Sequence, residues 1–225
     1  CRRRAVAIAG YGSCQNSGSR SGNTAGAVTV GTSSPPVHGR TALGPGRLHL
    51  AVVVRGVGLG LEDRLVLDRV ADELVAEAAR QGLSVALVDS GFHREQYFRQ
   101  FTVRDFVKPS DAIAPLGLKP EDVTDIFLTH MHWDHAGGID LFPSSRIWIQ
   151  KDEYDYYTSD AWQSARTHGG IDADDVLEIV KRNTRGLVSF VRGDDETSLS
   201  GIGFGVGGKH TWQSQFVTVQ LGEKA

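Results

Sequence analysis

From about residue 84 onward, short apolar runs alternate with segments that carry a helical pattern. These apolar runs, which we predict to be strands, cover residues 84–91, 125–130, 146–150, 187–191 and 215–221, and an earlier predicted strand covers 48–55. Runs of this length that are bounded by glycine and polar turn residues are typical of strands buried in a sheet. Because helical segments fall between several of them, the sequence predicts an α/β fold.

Two longer segments have the apolar periodicity of helices. Residues 61–82 place their large apolar side chains on one face. In residues 171–186, Asp172 is of a type that caps helix N-termini, and the segment ends with Gly186, a residue type that terminates helices. Residues 111–123 predict a shorter helix that is broken by proline and glycine.

Charge is unevenly distributed along the chain. Residues 1–61 contain seven arginines and no lysine, aspartate or glutamate, so they carry +7, and the rest of the 225-residue chain carries −10. The first segment is also rich in glycine, serine and threonine, and it has few large apolar side chains to offset the entropy of ordering. We therefore predict two regions, a flexible or non-native N-terminal extension over 1–47 and a folded domain over 48–225.

Composition also limits the partners. The net charge of −3 does not favour nucleic acid or a membrane surface, and no apolar run reaches the length that spans a bilayer. The two cysteines, Cys1 and Cys14, lie in the predicted extension, so cysteine has no expected part in the chemistry. We expect a cytoplasmic protein with a small-molecule substrate and with no nucleic-acid or membrane partner. The sequence does not predict an oligomeric state.

Four residues of metal-binding types stand together directly after the run at 125–130. They are His130, His132, Asp134 and His135. Imidazole and carboxylate groups are the ligands that zinc prefers where cysteine is absent. In an extended backbone His130 and His132 point to the same side and can reach one metal, and the turn into a helix lets the other two residues reach a second. The alternative interpretation is a histidine-rich surface loop, or core histidines satisfied by hydrogen bonds.

The segment T-H-M-H-W-D-H-A-G-G at 129–138 resembles the signature of the metallo-β-lactamase superfamily, and in this form it is most similar to the N-acyl homoserine lactonase branch. Two other segments agree with this resemblance. VALVDSG at 85–91 is similar to the family strand that ends in Asp-Ser/Thr-Gly. GGKHTWQSQ at 207–215, which follows a predicted glycine-rich loop over 201–208, is similar to a later histidine loop of the family. The resemblance implies an α/β fold of the metallo-β-lactamase type, an αββα sandwich.

Ligand roles follow from the resemblance. It implies that His130, His132 and His210 hold a first zinc ion and that Asp134 and His135 hold a second. Intact family members add a bridging aspartate and a final histidine, and neither residue type occurs after His210. We therefore expect a fragment or a C-terminally truncated relative, with a sandwich that is incomplete in its C-terminal half. An intact site would hold two zinc ions, and this chain would hold two or one.

The reaction that the resemblance implies is hydrolysis of an ester-like bond by metal-bound hydroxide, with a lactone such as an N-acyl homoserine lactone as the substrate. Asp134 would be both a zinc ligand and the catalytic residue that helps to move the proton to the leaving oxygen. Asp89 would orient the metal-binding loop. The sequence has no G-x-S-x-G segment around a serine nucleophile, so water is the expected nucleophile.

Two other functions are compatible with the same residues. One is a truncated, non-catalytic zinc-binding pseudo-enzyme, and the other is a thioester hydrolase of the glyoxalase II type. Phosphodiester hydrolysis is less favoured, because the acidic part of the chain shows no excess of basic residues. Trp133 is expected to pack beneath the metal motif. The candidate walls of an acyl-chain pocket are Phe92, Phe98, Phe101 and Phe106.

Overall fold

The computed structural model describes residues 84–103, 106–164, 166–199 and 202–219, together with two short strands nearer the N-terminus. The helix predicted over 61–82 and most of the predicted extension over 1–47 lie outside the described residues.

Six strands form the larger of two sheets. They are β1 (Ile8–Ala9), β2 (His49–Val52), β3 (Ser84–Val88), β4 (Val123–Phe127), β5 (Arg146–Gln150) and β6 (Val188–Val191). The strand order is β1-β3-β4-β5-β6, and β2 also pairs with β3. Every pairing is parallel. Parallel neighbours require crossover connections, and these are commonly helical. The observed β5 coincides with the predicted strand, whereas β3 and β4 end at Val88 and Phe127, before the polar residues of the predicted runs.

Short helices connect these strands. Among the described residues the α-helices are α1 (Glu95–Gln100), α2 (Pro109–Ala112), α3 (Trp133–Ala136), α4 (Lys151–Tyr157) and α5 (Ala173–Thr184). Single 3-10 turns occupy Ala114–Leu116, Pro120–Asp122, Ile139–Leu141 and Asp160–Gln163. The predicted cap of α5 is confirmed, because the side chain of Asp172 accepts a hydrogen bond from the Asp174 amide at 2.9 Å. The predicted break in 111–123 is confirmed by the change from α2 to a 3-10 turn.

Helices cover one face of the parallel sheet. Ile126 and Ile147 are fully buried on this face, and α5 packs Val176 and Ile179 into the same cluster. Alternate residues of the same strands, such as Phe127, point to the opposite face and are buried there as well. Burial on both faces explains why these strands are nearly continuous apolar runs in the sequence.

The opposite face packs against a second, antiparallel sheet. It consists of β7 (Asp195–Leu199), β8 (Ile202–Gly208) and β9 (Ser214–Val219), in that order. The ring of Phe204 on β8 lies 5.4 Å from that of Phe127 and 5.8 Å from that of Trp148, centroid to centroid. The described residues therefore form three layers, which are helices, parallel sheet and antiparallel sheet.

The prediction of a glycine-rich loop over 201–208 is wrong, because residues 202–208 form β8. Ile202 and Phe204 both enter the core between the sheets, as alternate residues of a strand do. On the other face a Cβ at Gly205 would stand 2.2 Å from the ring of Phe216. The glycine therefore makes room for an aromatic ring of the neighbouring strand.

Among the described residues, none of the helices has the length and the apolar character needed to cross a membrane.

Candidate metal centre

The segment that follows β4 brings two histidines side by side. His130 Nε2 lies 3.2 Å from His132 Nδ1, and the two ring centroids are 4.8 Å apart. Helix α3 begins directly after His132 and contains Asp134 and His135. The two histidines therefore face the same space, as expected for an extended backbone.

The third histidine comes from the antiparallel sheet. His210 lies in the turn between β8 and β9, and its ring centroid is 4.8 Å from that of His130 and 4.7 Å from that of His132. One ligand atom from each histidine lies within 4.8 Å of the others, and in the described part of the chain this is the group of donors able to hold a metal ion. His130 is buried and His210 is exposed. The cluster is therefore open to solvent on the side of the β8–β9 turn.

Burial favours the neutral form of the two histidines in the motif. Burial, together with the charge that the neighbouring imidazoles would carry, lowers the pKa of His130 to about 2. Burial and then the nearby His210 also lower the pKa of His132. A neutral imidazole has a nitrogen lone pair available for a metal. The donor set therefore fits a zinc ion, which binds such nitrogens readily.

Asp134 and His135 lie beside this cluster but outside it. The ring of His135 is 3.9 Å from that of His130, centroid to centroid, and its Nε2 is 3.7 Å from Asp134 Oδ2. Its Nδ1 donates a hydrogen bond to Asp89 Oδ2 at 2.7 Å. Burial opposes protonation of His135, but the hydrogen bond to Asp89 and the charge of Asp89 outweigh burial and raise the pKa of His135. Because Nδ1 is engaged with Asp89, Nε2 is the nitrogen directed toward Asp134.

Asp89 organises the backbone around the motif. Besides the bond from His135, its carboxylate accepts hydrogen bonds from the Thr129 amide at 2.7 Å and from the Thr129 hydroxyl at 2.9 Å. Its backbone has a φ of 60°, in the left-handed region. Aspartate is one of the few residue types that tolerate this region. Asp89 therefore contacts both the segment that carries His130 and the helix that carries His135.

A buried carboxylate that the sequence analysis missed contacts two histidine-bearing segments. Glu153 of α4 accepts hydrogen bonds from the Met131 amide at 3.0 Å and from the Gln213 amide at 2.6 Å. A signal for it does exist in the sequence. Glu153 stands four residues before Tyr157, and both are buried. It is therefore an acidic residue at a core position of an amphipathic helix.

Gln215 was also missed, and it joins the start of β9 to the end of β4. Its side-chain amide donates to the Leu128 carbonyl at 2.8 Å, and its backbone amide donates to the Thr129 carbonyl at 2.8 Å. Gln150 in turn donates to the side-chain oxygen of Gln215 at 3.1 Å. These bonds tie the two sheets together next to the motif.

A glycine in the loop before α5 packs directly against His132. Gly170 has a φ of 78°, and a Cβ placed on it would lie 2.9 Å from His132 Cδ2. Its carbonyl accepts a hydrogen bond from the Trp133 amide at 2.9 Å. The close approach limits the positions open to the His132 ring. His168, in the same loop, stacks on Trp162 at 4.3 Å between centroids.

Trp133 packs beneath the motif, as predicted. It is 9% exposed, and its ring stacks on those of Tyr97 and Phe101, with centroids 3.9 Å and 5.1 Å away. The phenylalanines predicted to be pocket walls all belong to this aromatic cluster. Phe92 is buried at its centre, and Phe106 is 40% exposed at its edge. The cluster thus places an apolar surface next to the metal motif.

The fold and the histidine motif agree with a known superfamily. The sequence model of the metallo-beta-lactamase superfamily matches residues 79–217, which is more than half of the chain. The chain belongs to the metallo-β-lactamase superfamily, and the predicted fold class and family are confirmed.

Within that superfamily the chain is similar to N-acyl homoserine lactonases. AttM of Agrobacterium fabrum is 38% identical over 52 residues, which are 23% of this chain and 20% of AttM. The N-acyl homoserine lactonase of Bacillus cereus is 32% identical over 81 residues, which are 32% of each protein. A solved structure of a Bacillus thuringiensis AiiA variant with N-decanoyl-L-homoserine at its active site is 21% identical, with a TM-score of 0.46. That match covers 60% of this chain and 53% of AiiA. The matches therefore span only part of each relative, from 20% to 53% of its length.

Proposed function

We propose that the chain is a zinc-dependent hydrolase of ester-like bonds and that its substrate is a lactone, such as an N-acyl homoserine lactone. The observation that carries this proposal is the convergence of His130, His132 and His210 within 4.8 Å. Their imidazoles are the donors that would hold a first zinc ion, and Asp134 with His135 would contribute to a second. The names of the relatives support the substrate class.

A zinc ion bound there would supply Lewis acidity, which makes hydroxide available near neutral pH and polarises a carbonyl group. The protein's own residues would admit the substrate, move the proton and orient the metal ligands. The exposed side of the cluster, at His210, admits the substrate. Asp134, with its side chain 24% exposed, can take a proton from the attacking water and return it to the leaving oxygen. Asp89 would hold the His135 ring by Nδ1, so that Nε2 stays directed into the site.

The first test is hydrolysis by the zinc-loaded full chain. We expect ring opening of N-hexanoyl homoserine lactone, measured by the acid it releases into a weakly buffered indicator solution. His132→Ala removes one of the three imidazoles, so its rate should fall to that of the uncatalysed reaction. A chain that binds zinc but opens no lactone would contradict the proposal and favour a non-catalytic zinc-binding module.

Substrate class is tested by offering a glutathione thioester and bis(p-nitrophenyl) phosphate under the same conditions. A lactonase should prefer the lactone over both compounds in kcat/KM. Faster cleavage of the thioester would contradict the lactone as substrate and support a thioester hydrolase of the glyoxalase II type.

A further inference from the structure

Glu153 is a fully buried carboxylate that the proposed reaction does not use. It is 0% exposed, and it lies in α4, which follows β5 directly. Burying a carboxylate is costly unless hydrogen bonds compensate. The bonds that Glu153 makes therefore indicate what the fold gains by placing it there.

The two oxygens of Glu153 contact two different parts of the candidate metal centre. Oε1 accepts from the Met131 amide, which lies between His130 and His132 in the chain. Oε2 accepts from the Gln213 amide, three residues after His210. One carboxylate thus connects the segment that leaves the parallel sheet with the turn of the antiparallel sheet.

We propose that Glu153 is a positioning residue, which clamps the His210 turn to the His130–His132 segment so that the three imidazoles converge before an ion arrives. This inference rests on the metal centre of the proposed function. The donors on Met131 and Gln213 are backbone amides, so these two bonds fix the main chain from which the histidine side chains extend.

The position of His210 needs such support. His210 is exposed, so packing around its side chain contributes little to holding it. Gln215 anchors the start of β9 to Leu128 and Thr129, beyond the turn itself. Glu153 acts closer to His210, through Gln213. Trp212 of the same turn also stacks on Tyr156 of α4, with ring centroids 4.0 Å apart. Loss of Glu153 would therefore leave β9 in place and loosen the turn next to His210.

The experiment measures zinc affinity of the full chain by competition with a chromophoric chelator. Glu153→Gln keeps the size of the side chain but sets an amide NH2 against one of the two backbone N–H groups. We expect the zinc Kd to rise about 10- to 100-fold, the range typical for residues that orient metal ligands. Cobalt(II) bound in place of zinc should show a changed visible spectrum, because one imidazole is no longer held in position.

A double-mutant cycle with His210→Ala separates positioning from general destabilisation. If Glu153 acts through His210, the substitution Glu153→Gln should change the zinc Kd far less when His210 is already absent. Asp125→Asn is the matched control, because Asp125 is 8% exposed and accepts a bond from Trp148 Nε1 at 2.8 Å. Asp125 is the middle residue of β4, and its carboxylate accepts hydrogen bonds from Thr124 and Trp148 rather than from residues of the histidine motif. Asp125→Asn should therefore lower stability without changing zinc affinity.

The proposal is overturned if Glu153→Gln leaves the zinc Kd unchanged, or raises it by the same factor with and without His210. If Glu153→Gln does not fold, Glu153→Asp takes its place, since it keeps the charge but is one methylene too short to reach both amides. A wild-type chain that binds neither zinc nor cobalt overturns the clamp together with the metal centre. If the double-mutant cycle gives the expected zinc Kd values but the chain does not open lactones, only the proposed substrate class is overturned.

Discussion

At the scale of single residues, the pKa values of two histidines in one short motif are shifted in opposite directions. His130 is surrounded by other imidazoles, and burial with their charges lowers its pKa to about 2. His135 donates a hydrogen bond to Asp89, and the pKa of His135 is raised. The difference follows from the partner of each ring. The first histidine is kept as a neutral donor, and the second is held by a carboxylate.

The metal-free protein should lose stability as the pH falls from 7 to 5. The unfolded chain protonates His130 near the ordinary value of 6.5, whereas the folded chain resists protonation until the pH approaches about 2. Acid therefore favours the unfolded state, by about 2 kcal/mol over this interval for one such group. His135 acts in the opposite sense. Its raised pKa contributes folding stability that is present in acid and is lost as the pH rises through that pKa.

Urea denaturation of the wild type and of His130→Gln at pH 7 and pH 5 isolates the contribution of His130. Glutamine does not titrate, so the loss of unfolding free energy between the two pH values should be about 2 kcal/mol smaller in the variant. Equal losses in the two proteins would show that His130 protonates normally in the folded state.

How well the role of a single residue could be predicted from the sequence depended on how close its partners lie along the chain. The ligand types and spacing of His130 and His132 are visible within three residues of sequence, and the structure places the two rings together. The contacts of Glu153 could not be assigned from the sequence, because the Met131 and Gln213 amides that it binds are 22 and 60 residues away. Every residue except proline carries such an amide, so no side-chain pattern indicates this contact.

At the scale of elements, regular apolar periodicity decided which predictions succeeded. The strand β5 and the helix α5 each carry a clear pattern, and both are found where the sequence places them. The strand β7 has the sequence DETSL, with no apolar alternation, and it was not predicted. The high glycine content of β8 suggested a loop, and its strand conformation depends on contacts with β9 and with the parallel sheet.

The loop before α5 should tolerate no side chain at Gly170. Gly170→Ala adds a Cβ 2.9 Å from His132 at a φ of 78°, so it combines backbone strain with a steric clash. We expect a loss of about 2 to 3 kcal/mol in unfolding free energy, together with weaker zinc binding from displacement of the His132 ring.

Gly186→Ala is the matched control for this change. Gly186 has a φ of 72°, and a Cβ there would meet nothing within 4 Å, so the control carries the strain without the clash. Gly186→Ala should lower the free energy of unfolding by about 1 kcal/mol and leave zinc affinity unchanged. Urea denaturation and chelator competition on both variants measure the two effects. Equal zinc affinity in the two variants would mean that Gly170 does not constrain His132.

At the scale of the whole molecule, the candidate metal centre joins the two sheets. His130 and His132 follow a strand of the parallel sheet, and His210 lies in a turn of the antiparallel sheet. The three rings meet only when the sheets are packed through Phe127, Phe204 and their neighbours. An ion held by all three histidines would therefore bind the packed state in preference to the unfolded chain.

Zinc should raise the stability of the whole domain. At a free zinc concentration 100 times the Kd, linkage predicts an increase of about 2.7 kcal/mol in unfolding free energy. Thermal denaturation with zinc, with magnesium at equal ionic strength, and without added metal would measure it. Magnesium prefers oxygen ligands and should have little effect. His210→Ala should lose most of the stabilisation by zinc, and full stabilisation in that variant would contradict a site that spans the two sheets.

The division of the chain into an extension over 1–47 and a domain over 48–225 stays a prediction. In the region before residue 84, the described residues are the strands Ile8–Ala9 and His49–Val52, and both pair with β3. The seven arginines of residues 1–61, on which the division was based, lie outside the described ranges.

The clamp at Glu153 also affects how freely its partners can vary. Because the carboxylate bonds to main-chain amides, the bond itself places no demand on the side chains of Met131 and Gln213. Gln213 is half-buried, so relatives can carry many residue types at this position. Met131 is buried, which restricts the size of the side chain there. Proline is the one residue type that the bond forbids at either position, since it has no amide hydrogen. Homologous sequences should therefore keep an acidic residue at position 153 and lack proline at positions 131 and 213. The contact should impose no other sequence pattern.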